Sequence, residues 1–343
     1  MIVLALESSC DETAVAILRG DRLLASEVAS QIALHAATGG VVPEVASRSH
    51  LRMLRPTLDA ALAQAGITLS EVDAFAATRG PGLATSLMIG MAVAKGLAVG
   101  FDKPFIAVNH MEGHLLSPFF GKGGPRPAVG LIVSGGHTML VDIVATANYR
   151  LLGQTVDDAA GEAFDKVGKL LGLPYPGGPN VNRLASDGNP KAIDFPRSMM
   201  HSDDFSFSFS GLKTSVRYLL PKLAEHSLAD ICASFQEAVC DVLVAKTIRA
   251  AQSAGRNTVA VSGGVSCNTR LREKLGAACE KSGLSLLLAE PALCTDNAAM
   301  ISWAGLERMA LVGFASDPFD FVARPRWPLD PDAAPVRGAG VKA

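Results

Sequence analysis

The sequence predicts an α/β protein built from two related lobes. Three observations carry this. Strand-length apolar runs alternate with helix-length stretches, a strand, polar connection, strand pattern occurs twice, and glycine turns follow apolar runs at comparable places. A length of 343 residues also sets a prior of about two domains.

In chain order, Ile2 to Leu6 is the first β-rich run, Glu7 to Glu12 a polar turn, and Thr13 to Leu18 a second apolar run. Helix-length stretches follow at Pro43 to Ala65 and Leu83 to Val99. The hairpin grammar then returns: Val129 to Val133, the tight turn Ser134-Gly135-Gly136, and Thr138 to Val144. Helices are expected at Val156 to Leu171 and Leu228 to Ala254. The strand Thr258 to Val261 runs through Ser262-Gly263-Gly264 into a helical pattern at Asn268 to Lys281, and a last helix spans Asp296 to Val312. A boundary is expected near Val108, giving a first lobe of 1–108 with about 300–320 and a second of 109–299. From Asp317 the chain is Pro-rich and poorly periodic, and 321–343 reads as a surface-bound or frayed tail.

With 49% apolar and 19% charged residues the chain can bury a sizeable core. A net charge of -2 excludes a globally basic nucleic-acid coat, though not a local basic patch. Arg48, Arg52 and Arg55 could make one such stripe at helical spacing, and Lys213, Arg217 and Lys222 another, though each stripe is more often simply a solvated helix face. The six cysteines contain no CxxC pair, so reduced thiols are expected rather than a zinc ribbon or disulfide framework. The N-terminus lacks the basic region of a signal peptide. Gly82 to Phe101 approaches membrane-span length, but Lys95 and many small residues favour a helix buried against a sheet. A soluble, cytoplasmic protein without a membrane partner is the expectation.

Asn109 to His114 reads NHMEGH. On a helix His110 and His114 share one face and can bring two imidazoles to one metal ion; two helix-surface histidines are the alternative. A zinc-protease motif places Glu directly after the first His, whereas Glu112 stands two on, about 200° around the helix, and would point away. Asp296, in CTDNA, is a candidate third ligand or else a helix N-cap. Two histidines and one carboxylate would suit Fe(II) or Zn(II). In Ser134-Gly135-Gly136-His137-Thr138 the glycines allow close phosphate approach, with hydroxyls and N–H groups as donors, although Gly-Gly hairpins occur without ligands. Together with Ser262-Gly263-Gly264 and Asn268, these turns describe a nucleotide held in an interlobe cleft. Glu162, Asp165 and Lys166 lie on a helix ending in a Gly- and Pro-rich loop, where carboxylates can bind ribose hydroxyls or form a solvated face.

The segments ESSCDET (Glu7 to Thr13), NHMEGH, VSGGHT (Val133 to Thr138), GEAFDK (Gly161 to Lys166), YPGGP (Tyr175 to Pro179), FSFSGLKT (Phe207 to Thr214), SGGVSCN (Ser262 to Asn268) and CTDNAAMI (Cys294 to Ile301) occur in this order. In order and spacing the chain resembles the tRNA threonylcarbamoyladenosine transferase family of the bacterial TsaD type, from about residue 2 to about residue 310. The resemblance implies two duplicated lobes of the actin-like, sugar kinase and Hsp70 ATPase type. It implies transfer of a threonylcarbamoyl group from threonylcarbamoyl-AMP to N6 of adenosine 37 in tRNAs reading codons that begin with A, with AMP released. By the match, His110, His114 and Asp296 hold a metal, usually iron. Ser134, Gly135, Gly136, His137, Thr138, Asp165, Gly178 and Asn268 hold the adenylate. It also implies two accessory proteins, a TsaB-type paralogue and a TsaE-type ATPase. Asn182 departs from the pattern where many members have an acidic residue, which removes a charge-assisted bond to ribose. Ser266-Cys267 replaces a commoner pair of small residues.

Threonylcarbamoyl-AMP is already activated, so the protein must position the amine, stabilise developing charge and exclude water. Asp11, in the first polar hairpin, is the candidate proton acceptor, or else an ordinary turn aspartate. A small-molecule kinase of the same superfamily would not need the paired histidines, and a non-catalytic scaffold would need neither them nor a nucleotide cleft.

Overall fold

In a computed structural model, residues 1–35, 40–219, 226–313 and 315–333 are described, and the chain divides into two compact units: Met1–Pro125 with Thr295–Pro331, and Arg126–Cys294. The helices are α1 (Ile32–His35), α2 (Pro43–Ala65), α3 (Ala84–Gly100), α4 (His110–Leu116), α5 (Ala160–Leu170), α6 (Gly177–Ala185), α7 (Ser210–Leu219), α8 (Leu228–Ser253), α9 (Thr269–Lys281) and α10 (Ala298–Val312).

The first unit's sheet contains β1 (Ile2–Glu7), β2 (Glu12–Arg19), β3 (Arg22–Ser30), β4 (Ala74–Gly80) and β5 (Phe105–Asn109), in the order β3-β2-β1-β4-β5. The first three form an antiparallel meander, and β4 and β5 add in parallel. Both faces of β1 are covered, so its residues are apolar without alternation until Glu7. Leu4, Leu6, Val15, Ile17, Phe75 and Phe105 pack in one core with Met91 of α3. Gly90 lets α3 lie this close, since a Cβ there would stand 2.5 Å from Ser8 Oγ. The membrane-like stretch is therefore a packed helix, and no described helix is long and apolar enough to cross a membrane.

The second unit repeats this plan. Its strands are β6 (Ala128–Val133), β7 (Thr138–Ala145), β8 (Asn148–Gln154), β9 (Thr258–Ser262) and β10 (Ser285–Leu288), in the order β10-β9-β6-β7-β8. Again an antiparallel meander is followed by two parallel strands. Its core includes Phe164 of α5 against Phe235 of α8, edge to face at 5.1 Å. The duplication inferred from two hairpins thus extends to all five strands of each sheet.

The division falls at Pro125, later than the boundary expected near Val108, and it places His110 to His114 in the first unit rather than the second. The reason is packing. β5 pairs with β4, and α4 lies directly on α10, where a Cβ at Gly113 would stand 2.9 Å from Ile301 Cδ1. Helix α5 begins at Ala160 rather than Val156, because Asp157 turns away to bind the start of α7. The described part of the expected tail is a strap on the first unit. Asp317 N donates to Phe105 O, Arg324 N donates to Arg79 O, and the Arg79 guanidinium lies 3.8 Å from the Phe321 ring centroid. Residues 334–343 and Lys222 of the second basic stripe lie outside the described residues. Arg48, Arg52, Arg55 and Arg217 are exposed, and Arg55 pairs with Asp59 four residues on.

Candidate metal centre and nucleotide turns

Helix α4 starts where β5 ends, and Asn109 makes the junction. Its Oδ1 accepts from Met111 N at 2.9 Å, while its amide donates to the Trp327 carbonyl of the strap at 3.2 Å. His110 and His114 then fall on one face with ring centroids 4.8 Å apart. Asp296 is free to join them because Asn297 takes the cap of α10, accepting from Met300 N. Asp296 Oδ1 lies 3.4 Å from His110 Nε2 and 3.0 Å from His114 Nε2. The three donor groups lie within 4.8 Å of one another. Both imidazoles are buried, whereas the Asp296 side chain is 24% exposed, so the cluster opens on the carboxylate side. Glu112 is buried on another face of α4 and pairs with Arg308, as the helix geometry required.

Behind His110 stands Glu7, a fully buried carboxylate at the end of β1. Its Oε2 is 2.9 Å from His110 Nδ1 and accepts from Thr78 Oγ1 at 2.6 Å, and its Oε1 accepts from Ser9 N at 2.5 Å. Burial by itself would raise both carboxyls, yet His110 holds Asp296 well below the usual carboxylate range and lowers Glu7 too. Burial would likewise lower His110, but Asp296 and Glu7 raise it well above the usual imidazole value. Burial, Asp296 and Asp11 together push Glu12 up to about 9, and its carboxyl is hydrogen-bonded to Asp11. Two imidazole nitrogens and a carboxylate oxygen meeting within 4.8 Å fit a divalent ion.

The turn carrying Asp11 is held by His50 of α2, which sequence reasoning missed. His50 Nε2 donates to Cys10 O at 3.0 Å and Nδ1 accepts from Thr13 Oγ1 at 2.7 Å. Burial keeps this imidazole neutral, in keeping with one donor and one acceptor nitrogen.

In the second unit, Ser134 to Thr138 form the β6–β7 turn. Ser134 Oγ accepts from His137 N at 3.1 Å, and Thr138 Oγ1 accepts from Ala160 N, starting α5. Gly135 and Gly136 are exposed, with open space where a Cβ would stand. Gly263 has φ +91°, and a Cβ there would lie 2.4 Å from Val133 O, so only glycine lets the turn after β9 pass against β6. Asp165 Oδ1 accepts from Gly177 N at 2.7 Å and Gly178 N at 3.3 Å, binding the N-terminus of α6; burial raises this carboxyl. Asn268 caps α9 through Leu271 N and donates to Gln236 Oε1 at 2.6 Å, so its side chain already has partners. Asn182 Oδ1 accepts from Thr269 Oγ1, a neutral bond at a position that departs from the motif pattern. A groove of about 310 Å³ in this unit is lined by Asn182, Gln236 and Thr269, but by none of the eight residues expected to hold the adenylate.

Residues 22–303 match the family described as TsaD: tRNA N6-adenosine threonylcarbamoyltransferase. A protein of that name from Novosphingobium aromaticivorans is 50% identical over 351 residues, covering 100% of this chain and 99% of its own length. The chain belongs to the tRNA N6-adenosine threonylcarbamoyltransferase family. Another member, from Geobacter sp. strain M21, is 52% identical over 334 residues, covering 96% of this chain and 97% of its own. As an enzyme of this family, the chain modifies tRNA by transferring a threonylcarbamoyl group to N6 of adenosine. Among solved structures, HypF from T. kodakarensis superposes with a TM-score of 0.63 at 15% identity, covering 91% of this chain and 48% of that one. A ROK hexokinase from Thermus thermophilus gives 0.51 at 15%, covering 91% and 99%. These two show the fold alone, the duplicated α/β class shared by actin-like proteins and sugar kinases. For a transferase of this family, the most informative omission from sequence reasoning is Glu7. Its signal was a lone charge closing an otherwise apolar strand, IVLALE.

Proposed function

We propose that this transferase takes its threonylcarbamoyl group from threonylcarbamoyl-AMP, places it on adenosine 37 of tRNAs reading codons that begin with A, and releases AMP. His110, His114 and Asp296 are read as the ligands of one divalent ion, Fe(II) or Zn(II). When bound, such an ion supplies Lewis-acid polarisation of a carbonyl or phosphoryl oxygen. Ser134, Gly135, Gly136, His137, Thr138, Asp165, Gly178 and Asn268 are assigned to the adenylate. The open β6–β7 turn supports this assignment best, since its exposed glycines leave room for a phosphate beside backbone N–H groups. The adenosine amine attacks the carbamoyl carbon; an N–C bond forms, the mixed-anhydride C–O bond breaks, and AMP carries away the electron pair. Asp11 accepts the proton that leaves N6. A TsaB-type paralogue and a TsaE-type ATPase are the proposed partners, supplying tRNA contacts that a chain of net charge -2 does not supply broadly.

The observation that carries the reading is the meeting of the buried His110 and His114 with the partly exposed Asp296 in an enzyme from this family. The test is mass spectrometry of tRNA nucleosides after incubation with threonylcarbamoyl-AMP and the two partners. Modified adenosine is expected with the unaltered chain, and at least about 100-fold less with His110→Ala, together with loss of bound metal. Full-rate modification by His110→Ala would overturn the metal assignment. Phosphorylation of a small molecule surviving that change would favour a kinase.

A further inference from the structure

Glu7 has an environment that folding alone does not explain. It is 0% exposed, and its hydrogen-bond partners are a backbone N–H, the Thr78 hydroxyl and the His110 ring. No lysine or arginine pairs with it among the described salt bridges. Burying a carboxylate costs several kcal/mol unless it is well paired, and an apolar side chain would end β1 more cheaply. The contacts pin both carboxylate oxygens: Ser9 N–H holds Oε1, and Thr78 Oγ1 holds Oε2 on the side facing His110. A carboxylate so held accepts only, which places a proton on His110 Nδ1 and turns Nε2 toward Asp296. His114 lacks the counterpart, because its buried Nδ1 has no hydrogen-bond partner. Orientation is thus built into one imidazole of the pair.

We infer that Glu7 is a positioning residue of the metal centre, fixing through the Nδ1–H of His110 the tautomer and ring orientation that present Nε2 to an ion. The inference rests on the reading that His110, His114 and Asp296 hold that ion. A carboxylate on the far nitrogen of a liganding histidine also makes the near nitrogen a stronger donor, and losing such a partner typically costs roughly 10–100-fold in metal affinity.

The test uses the full chain, stripped of metal and titrated with Zn(II) against a chromophoric chelator, with no turnover involved. Glu7→Gln keeps the side-chain length but removes the charge. It is expected to weaken Zn(II) binding roughly tenfold or more while near-ultraviolet circular dichroism shows the fold retained. His110→Ala is the companion variant. If His110→Ala loses Zn(II) and Glu7→Gln binds within twofold of the unaltered chain, the role of Glu7 is refuted and the metal reading stands. If both bind like the unaltered chain, the metal reading itself fails. The unaltered chain gives a second readout that does not depend on a variant folding. In the Zn(II)-loaded, ¹⁵N-histidine-labelled protein, His110 is expected to show a protonated, slowly exchanging Nδ1 and a liganded Nε2. Ligation through Nδ1 would overturn the proposal.

Discussion

Asp11 and Glu12 share a turn but not a role. Glu12 is pushed up to about 9 by burial and by the Asp296 and Asp11 carboxylates, whereas Asp11 is the candidate base of the transfer. If Asp11 takes the N6 proton, Asp11→Asn keeps its size and loses only basicity. Transfer is then expected to fall roughly 10²- to 10⁴-fold at saturating donor, with the KM for threonylcarbamoyl-AMP changed by less than about threefold. Initial rates of tRNA modification across donor concentration check this; a large rise in KM with kcat intact would make Asp11 a binding group instead. The residues behind this argument were unequally legible. His110 and His114 announce themselves by four-residue spacing, since one helix face suffices to align them. Glu7 does not, because its partner His110 lies 103 residues away on another element, and no local pattern encodes a contact of that separation. His50 was hidden for the same reason, meeting Cys10 across 40 residues.

Caps decide where several elements begin, and one of them joins two motifs. The Asp157 carboxylate accepts from Ser208 Oγ at 2.5 Å, Ser210 Oγ at 2.6 Å and Phe209 N at 2.8 Å, anchoring the start of α7. Burial would raise this carboxyl, but the two serine hydroxyls and two backbone N–H groups hold it below its ordinary value. Asp157→Ala leaves those donors unpaired and is expected to cost about 1–2 kcal/mol. The loss should concentrate on α7, seen as faster amide exchange over 211–219, while β6 and β9 amides keep their protection. Unchanged exchange on α7 would show that its packing through Leu212 and Val216, not the cap, fixes it. This contact also explains why the expected helix from Val156 starts only at Ala160: apolar periodicity cannot see that Asp157 is committed to a segment beginning 51 residues on. Long elements such as α2, bounded by Pro43 and by Gly66 at φ +65°, were legible at both ends because their punctuation is local.

Across the whole chain, the duplication into two α/β lobes was readable from two hairpins and two glycine turns, whereas the strand order of the sheets and the division between units were not. Gly113 permits α4 to lie on α10, and that tertiary choice keeps residues 110–116 with the first unit. Stability against acid is likewise a property of distant pairings. Asp142, fully buried on β7, accepts from Arg256 Nε at 2.6 Å and Arg150 Nη2 at 2.9 Å. Glu237 of α8 accepts from Arg270 Nε at 2.7 Å and Lys274 Nζ at 2.5 Å of α9. Burial opposes ionisation in both, but these cations prevail, lowering Asp142 and bringing Glu237 to about 2. A carboxyl depressed in the folded state binds more protons when unfolded, so its contribution is complete above the unfolded value near 4.5 and disappears as pH falls toward 2. For the partly solvated Glu237 the contribution is about 2 kcal/mol once solvent screening is allowed for. Calorimetry of the full chain is expected to show Glu237→Gln melting several degrees below the unaltered protein at pH 7. The gap should narrow steadily below pH 5, because the variant has already lost what acid takes from the parent. A gap that stays constant from pH 7 to pH 3 would mean that the loss comes from packing or neutral hydrogen bonding at Glu237 and not from its charge.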